Sequence, residues 1–221
     1  MTEILKIKDL NFNYGKTEVL KDLNLTIKDG EFVGIVGNNG SGKSTLLKLI
    51  ISELKNFTGE IKIFGEDILS FKDWKKVGYV PQVDMGKSIA FPVSVKEMIS
   101  LNLFSEFNFF NHPKKYQKRT VNDMLKIFGI EDLGDRNFNE LSGGQKQKVM
   151  IAKAMVHNPS ILIFDEPTVG VDEDSKKEFF HILDHINKFH GITIIMVTHE
   201  IDVASEYFTR KVLLKDKRIY D

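Results

Sequence analysis

The stretch Phe32-Val33-Gly34-Ile35-Val36-Gly37-Asn38-Asn39-Gly40-Ser41-Gly42-Lys43-Ser44-Thr45 decides the fold of this chain of 221 residues. It opens as a short apolar run, turns glycine-rich, and ends in Lys-Ser-Thr. Beyond it, Leu46, Leu47, Leu49, Ile50, Ile51 and Leu54 recur at helical spacing, so the segment reads strand, loop, helix. Glycines at 37, 40 and 42 let the backbone curl and bring successive N–H groups to bear on phosphate oxygens. The helix starting near Lys43 adds the positive end of its dipole. Lys43 is placed to reach the β- and γ-phosphates of a nucleotide, and the Ser44 hydroxyl to ligate Mg²⁺. A glycine-rich turn before an ordinary helix is the plainer alternative, and the strand-loop-helix context weighs against it.

Working outward, Leu23, Leu25 and Ile27 alternate with polar residues as in a half-buried strand, and Gly59 to Phe64 alternates again. From roughly Phe91 to Met155 the period becomes helical, with Val121, Met124, Leu125 and Phe128 on one stripe. Val93-Ser94-Val95-Lys96-Glu97 has the serine-to-glutamate spacing of a capped helix start. Ile161 to Phe164 and Thr193 to Val197 read as buried strands, with Phe179, Ile182, Leu183 and Ile186 marking a helix between them. A mixed sheet carrying an inserted helical subdomain is the expected architecture.

The bulk composition narrows the class. A 42% hydrophobic chain of this length buries a real core. Lys plus Arg equals Asp plus Glu at 31 each, which argues against a nucleic-acid binder held by phosphate electrostatics. Without cysteine there are no disulfides, thiolate metal sites or thiol nucleophiles. The N-terminus shows no signal segment, and no apolar run approaches the roughly 20 residues of a membrane helix. If the protein serves a membrane process, another chain makes the crossing.

Two further segments carry chemistry. Ile161-Leu162-Ile163-Phe164-Asp165-Glu166 ends a strand in adjacent carboxylates. Side chains alternate along a strand, so the two are expected to point opposite ways, Asp165 toward a metal and Glu166 toward an attacking water as general base. Leu141-Ser142-Gly143-Gly144-Gln145 precedes a helix whose apolar positions include Val149 and Ala152. Ser142 can cap that helix, and Gly143 and Gly144 expose backbone donors that suit an anion.

With these segments in this order, the chain resembles over its whole length the nucleotide-binding subunit of an ATP-binding cassette (ABC) transporter. The motifs are the phosphate loop Gly37 to Thr45, a glutamine loop Val80-Pro81-Gln82, the signature Leu141 to Gln145, and the acidic strand Ile161 to Glu166. A D-loop Val169-Gly170-Val171-Asp172 and a switch Val197-Thr198-His199-Glu200 complete the set. The resemblance implies one α/β domain over 1–221: a P-loop NTPase core of mixed sheet and flanking helices, an N-terminal antiparallel β subdomain, and a helical signature subdomain inserted over about 84–156.

It also implies roles. Gly37, Asn38, Asn39, Gly40, Ser41, Gly42, Lys43, Ser44 and Thr45 hold the ATP phosphates, and Tyr14 stacks on the adenine, although a loop aromatic packing on the first strands is the alternative. Ser44, Gln82 and Asp165 serve Mg²⁺. Glu166, His199 and Gln82 are catalytic. Ser142, Gly143, Gly144 and Gln145 grip the ATP of a second copy across a head-to-tail dimer, with Asp172 at the seam. Closure then requires ATP, and hydrolysis reopens the pair. Lys148 stands where arginine is frequent in the family, in a chain that uses lysine almost throughout.

Pro81-Gln82-Val83, Phe91 through Glu97 and Asp165 through Asp172 resemble the cassettes of bacterial zinc and manganese uptake systems. The expected setting is the cytoplasmic face of the cell membrane, with permease subunits and an extracytoplasmic metal-binding protein as partners and no nucleic acid. Another cargo, an exporter and a soluble non-transport ABC ATPase are the alternatives. His181 and His185, four apart on a helix with His190 nearby, can be metal ligands or plain exposed histidines. Phe104, Phe107, Phe109 and Phe110, with His112-Pro113, form an aromatic cluster that suits either a core patch or a permease-docking surface.

Overall fold

The computed structural model describes residues 2–82, 91–106, 115–199 and 203–221. In chain order the strands and α-helices are β1 (Glu3–Tyr14), β2 (Thr17–Lys28), β3 (Phe32–Val36), α1 (Lys43–Ile50), β4 (Thr58–Ile63), β5 (Glu66–Asp67), β6 (Val77–Val80) and α2 (Val95–Ser100). There follow α3 (Lys115–Ile127), α4 (Gly143–Met155), β7 (Ile161–Asp165), α5 (Glu173–His190), β8 (Thr193–Thr198), β9 (Arg210–Lys215) and β10 (Arg218–Tyr220).

The strands form two sheets, one antiparallel in the order β2-β1-β4-β5 and one of six strands in the order β10-β9-β3-β8-β7-β6. In the second, β9, β3, β8, β7 and β6 run parallel, and β10 returns antiparallel at the edge. The expected mixed sheet with an N-terminal antiparallel sheet is therefore what the chain builds.

Strand β3 shows why. All five of its residues are buried, so its two faces must both be covered. Phe32 packs with Leu162, Phe164, Ile194 and Met196 under helices α2 to α5. Its neighbours Val33 and Ile35 face the other way, with Ile163, Ile195 and Val197, against α1 and the antiparallel sheet. Fully burying each large side chain contributes about 2 kcal/mol, so the two clusters dominate the stability. The helical stretch expected over 84–156 shares one of them with the sheet: Met98, Leu125, Leu133 and Ile151 belong to the same cluster as Phe164.

Local signals set the helix ends. Ser94 Oγ accepts from Glu97 N at 3.3 Å, and Ser94 N donates to Glu97 Oε2 at 2.8 Å, the capping box its spacing predicts. Asp172 caps α5 by accepting from Ser175 N at 3.0 Å, and Gly191, at φ 67°, ends it. No helix among the described residues is long and apolar enough to cross a membrane.

Candidate functional site

The parallel register gathers the chemistry at one edge. Val36 pairs with Thr198, and Phe164 pairs with both Met196 and Val80. Continuing each strand by one or two residues sets Gly37, His199, Glu166 and Gln82 side by side beyond the carboxyl ends, where α/β sheets hold ligands.

The phosphate loop is a cradle without an anion of its own. Gly42, the residue before α1, sits at φ 104° and makes no side-chain cap, and no acidic residue occupies the first turn. The leading N–H groups of that helix therefore point outward with the positive dipole end uncompensated. Lys43 is buried, and its Nζ donates to Gly37 O at 2.9 Å and Asn38 O at 3.1 Å, bracing the loop from inside. The Ser41 hydroxyl is buried and lacks a partner among the described residues, a polar atom in need of a ligand. A cleft of about 240 Å³ runs from Tyr14 and Val19 over Gly40, Lys43 and Ser44 to Glu166. Tyr14 is half exposed and stands at a right angle to Phe12, ring centroids 4.9 Å apart, at the mouth of this cleft. Val19 was not singled out by its sequence; the signal was an apolar residue just past the tight β1–β2 turn.

Ser44 Oγ donates to Asp165 Oδ1 at 3.1 Å, joining residues 121 apart. Burial pushes the Asp165 carboxyl above the usual carboxylate range, the Ser44 hydrogen bond pulls the other way, and the Glu166 charge adds to the rise. Hydroxyl and carboxylate together make an all-oxygen donor pair that suits a hard divalent cation such as Mg²⁺, whose charge would offset the cost of burying the anion.

Glu166 departs from the strand alternation expected of it. Its φ is 45°, in the left-handed region, so the chain turns immediately after Asp165 and both carboxylates face the phosphate loop. Glu166 Oε1 lies 3.7 Å from Lys43 Nζ, and Glu166 Oε2 lies 3.2 Å from His199 Nδ1. Asp165 meets Ser44 while Glu166 meets Lys43 and His199: different partners on one side, not two opposite sides.

In the signature segment Ser142 caps α4 as expected, and Gln145 completes the cap in return. Ser142 Oγ accepts from Gln145 N at 3.3 Å, and Ser142 N donates to Gln145 Oε1 at 3.0 Å. Among the described residues no acceptor faces the N–H groups of Gly143 and Gly144, and α4 has no acid in its first turn. A Cβ on Gly144 would come within 2.7 Å of Ser175 Oγ, so this turn packs directly on the start of α5. Residues 141–145 do not line the cleft at the phosphate loop of the same chain. Asp172 is fully exposed, and the hydrogen bonds from Ser175 hold its carboxyl below the usual range. Lys148 forms an ion pair with Glu178 of α5 at 2.8 Å, a role that needs only a cation.

Other candidates fare differently. His185 stacks on Phe189 at 4.7 Å and His181 stands edge-on to Tyr207 at 5.6 Å. Among the described residues no group of three or more His, Cys, Asp or Glu side chains could hold a metal ion. The side chain of Phe104, together with Phe107, Phe109, Phe110, His112, Pro113, Val83 and Glu200, lies outside the described residues.

A phosphate loop beside paired carboxylates at a parallel sheet edge defines a nucleoside-triphosphate-binding fold. The family profile described as ABC transporter matches residues 20–169, and the chain belongs to that family, as one of its ATPases. It is 38% identical over 221 residues to the zinc uptake system ATP-binding protein ZurA of Listeria innocua, a match covering all of this chain and 86% of that protein. The manganese transport system ATP-binding protein MntB of Bacillus subtilis is 33% identical, across 97% of this chain and 84% of its own. Among solved structures, cbiO1 from Clostridium perfringens, part of the ABC transporter complex cbiONQ, superposes with a TM-score of 0.86 at 35% identity, over all of this chain and 88% of that one. A dimeric post-hydrolysis state of the ATP-binding cassette MJ0796, bound to ADP and Pi, matches with a TM-score of 0.80 at 30% identity, over 98% of this chain and 97% of the other.

Proposed function

We propose that this chain is the ATP-hydrolysing subunit that energises uptake of a divalent metal ion, zinc or manganese, through a separate membrane permease. ATP closes a head-to-tail dimer of two such chains, and hydrolysis reopens it. The observation that carries this reading is the signature turn. It is an open helix N-terminus whose Gly143 and Gly144 N–H groups have no acceptor among the described residues, held away from the cleft of its own chain. The zinc and manganese names of ZurA and MntB support the choice of cargo.

Each residue then has a task. Tyr14 stacks on the adenine, and residues 37–45 wrap the phosphates, with Lys43 as the central cation. Ser44, Asp165 and Gln82 hold Mg²⁺, which when bound neutralises phosphate charge and polarises the terminal phosphoryl group. Glu166 orients the water and receives its proton, while His199, already against Glu166, contacts the γ-phosphate. Ser142, Gly143, Gly144 and Gln145 reach the γ-phosphate held by the other copy, and Asp172 lines the seam. Helices α2, α3 and α4 make up the helical unit that presents the signature. The chain works at the cytoplasmic face of the cell membrane beside its permease, supplied by an extracytoplasmic metal-binding protein.

Two variants test the chemistry. Glu166→Gln abolishes turnover and accumulates an ATP-bound dimer on a sizing column, while Lys43→Ala loses nucleotide binding. A Glu166→Gln chain that stays monomeric in ATP while the parent dimerises overturns the dimer reading.

A further inference from the structure

Gln147 lies on the first turns of α4, two residues past the signature, and is almost fully buried. Its Nε2 donates to the carbonyl of Pro167 at 2.7 Å. A carbonyl oxygen only accepts, so the amide nitrogen must face it, and the Gln147 carbonyl oxygen is left buried with no partner among the described residues. Leaving such an atom unpaired costs about 1–3 kcal/mol. A methionine would fill the same volume without that cost, so packing alone does not account for an amide here. What the amide supplies is the bond to Pro167.

Pro167 follows Glu166, whose left-handed backbone must be held by its surroundings. Proline has no N–H of its own with which to fix this turn. The segment is anchored on one side by Glu166 N, which donates to Val197 O on β8 at 2.9 Å, and on the other by Gln147. Helix α4 begins with the signature turn, and Gly144 there packs on Ser175. One rigid helix therefore carries both the anion-binding turn and the group that fixes the backbone beside the carboxylate.

We propose that Gln147 is a positioning residue of the ATPase reaction. By holding the Pro167 carbonyl, it ties the glutamate of one chain's site to the signature turn that serves the other chain's ATP. This rests on the dimer reading above. A signature turn drawn onto the partner's nucleotide moves α4, and the hydrogen bond passes that displacement to Glu166. Each site thereby senses whether its opposite is filled.

The test uses the full chain with Gln147→Met, which keeps the volume and removes the donor, and Gln147→Glu, whose ionised carboxylate faces the Pro167 carbonyl as a second acceptor. Steady-state ATPase is measured against ATP concentration and pH. Gln147→Met lowers kcat about tenfold with KM within twofold and a Hill coefficient falling toward 1. Gln147→Glu is slower still at neutral pH and recovers as the pH falls and its protonated carboxyl can donate. A Gln147→Met chain that folds and keeps the parental kcat and Hill coefficient overturns the proposal, as does a Gln147→Glu chain whose deficit does not change with pH. The Glu166→Gln chain is run alongside. Its failure to dimerise in ATP removes the dimer reading and the coupling between sites together, whereas a normal dimer with unchanged Gln147→Met kinetics removes the positioning role alone.

Discussion

Helices α2 and α4 open on the same device and end up with opposite characters. In each, a serine caps the N-terminus and the residue three positions on reaches back to the serine's N–H. At α2 that residue is Glu97, and the next donors are also taken: Val95 N donates to Arg136 O and Lys96 N to Gly134 O, each at 3.0 Å. At α4 the residue is the neutral Gln145, and no acceptor among the described residues meets the N–H groups of Gly143 and Gly144. One helix closes its positive end with a carboxylate and two carbonyls; the other keeps it available for an anion. Capping alone does not mark a functional helix, whereas the donors left over after capping do.

Substitutions that make each helix more like the other sharpen this contrast. Gly144→Asp sets a carboxylate where the anion belongs and a Cβ 2.7 Å from Ser175 Oγ, so the serine side chain must shift. ATPase activity, followed by phosphate release, falls by about 100-fold or more. Gln145→Glu gives α4 the acid that α2 already has. Turnover falls about tenfold while thermal melting shows the Tm unchanged or about 1–2 °C higher, because the dipole is better neutralised.

The reverse experiments at α2 affect stability alone. Ser94→Ala removes the cap and costs about 1 kcal/mol, lowering the Tm by about 3 °C with the ATPase rate of the isolated chain retained. Glu97→Gln has the smallest effect and a pH signature. The Ser94 hydrogen bonds, chiefly the backbone one, hold the Glu97 carboxyl below its ordinary 4.5. Because the folded-state value is depressed, its stabilisation is complete above 4.5 and is lost as the pH falls through the folded value. The Tm gap between parent and Glu97→Gln is thus present at neutral pH and closes in acid. A gap that widened in acid would show that the carboxylate is not the capping species.

Much of this was legible in the residues. The Ser94 and Ser142 caps, the buried strand Phe32–Val36 and the cradle of Gly37, Gly40 and Gly42 rest on local rules spanning a few positions, and each formed as expected. The direction of Glu166 was not legible, because strand alternation predicts the wrong side once the backbone enters the left-handed region. Gln147 was hidden for a related reason: it sits between Lys146 and Lys148 in a polar stretch that reads as a solvated helix face, and its partner is a backbone carbonyl that no side-chain pattern announces.

The sequence by itself determined which local units exist, since hydrophobic period, glycine freedom and serine caps act between residues at most a few positions apart. Only the tertiary structure decided which of those units share a site. Ser44 meets Asp165 across 121 residues, and Lys43 and His199 converge on Glu166, through the pairing order of parallel strands. That order is settled by which faces of the sheet can be buried together, a property of the assembled core that no single segment carries.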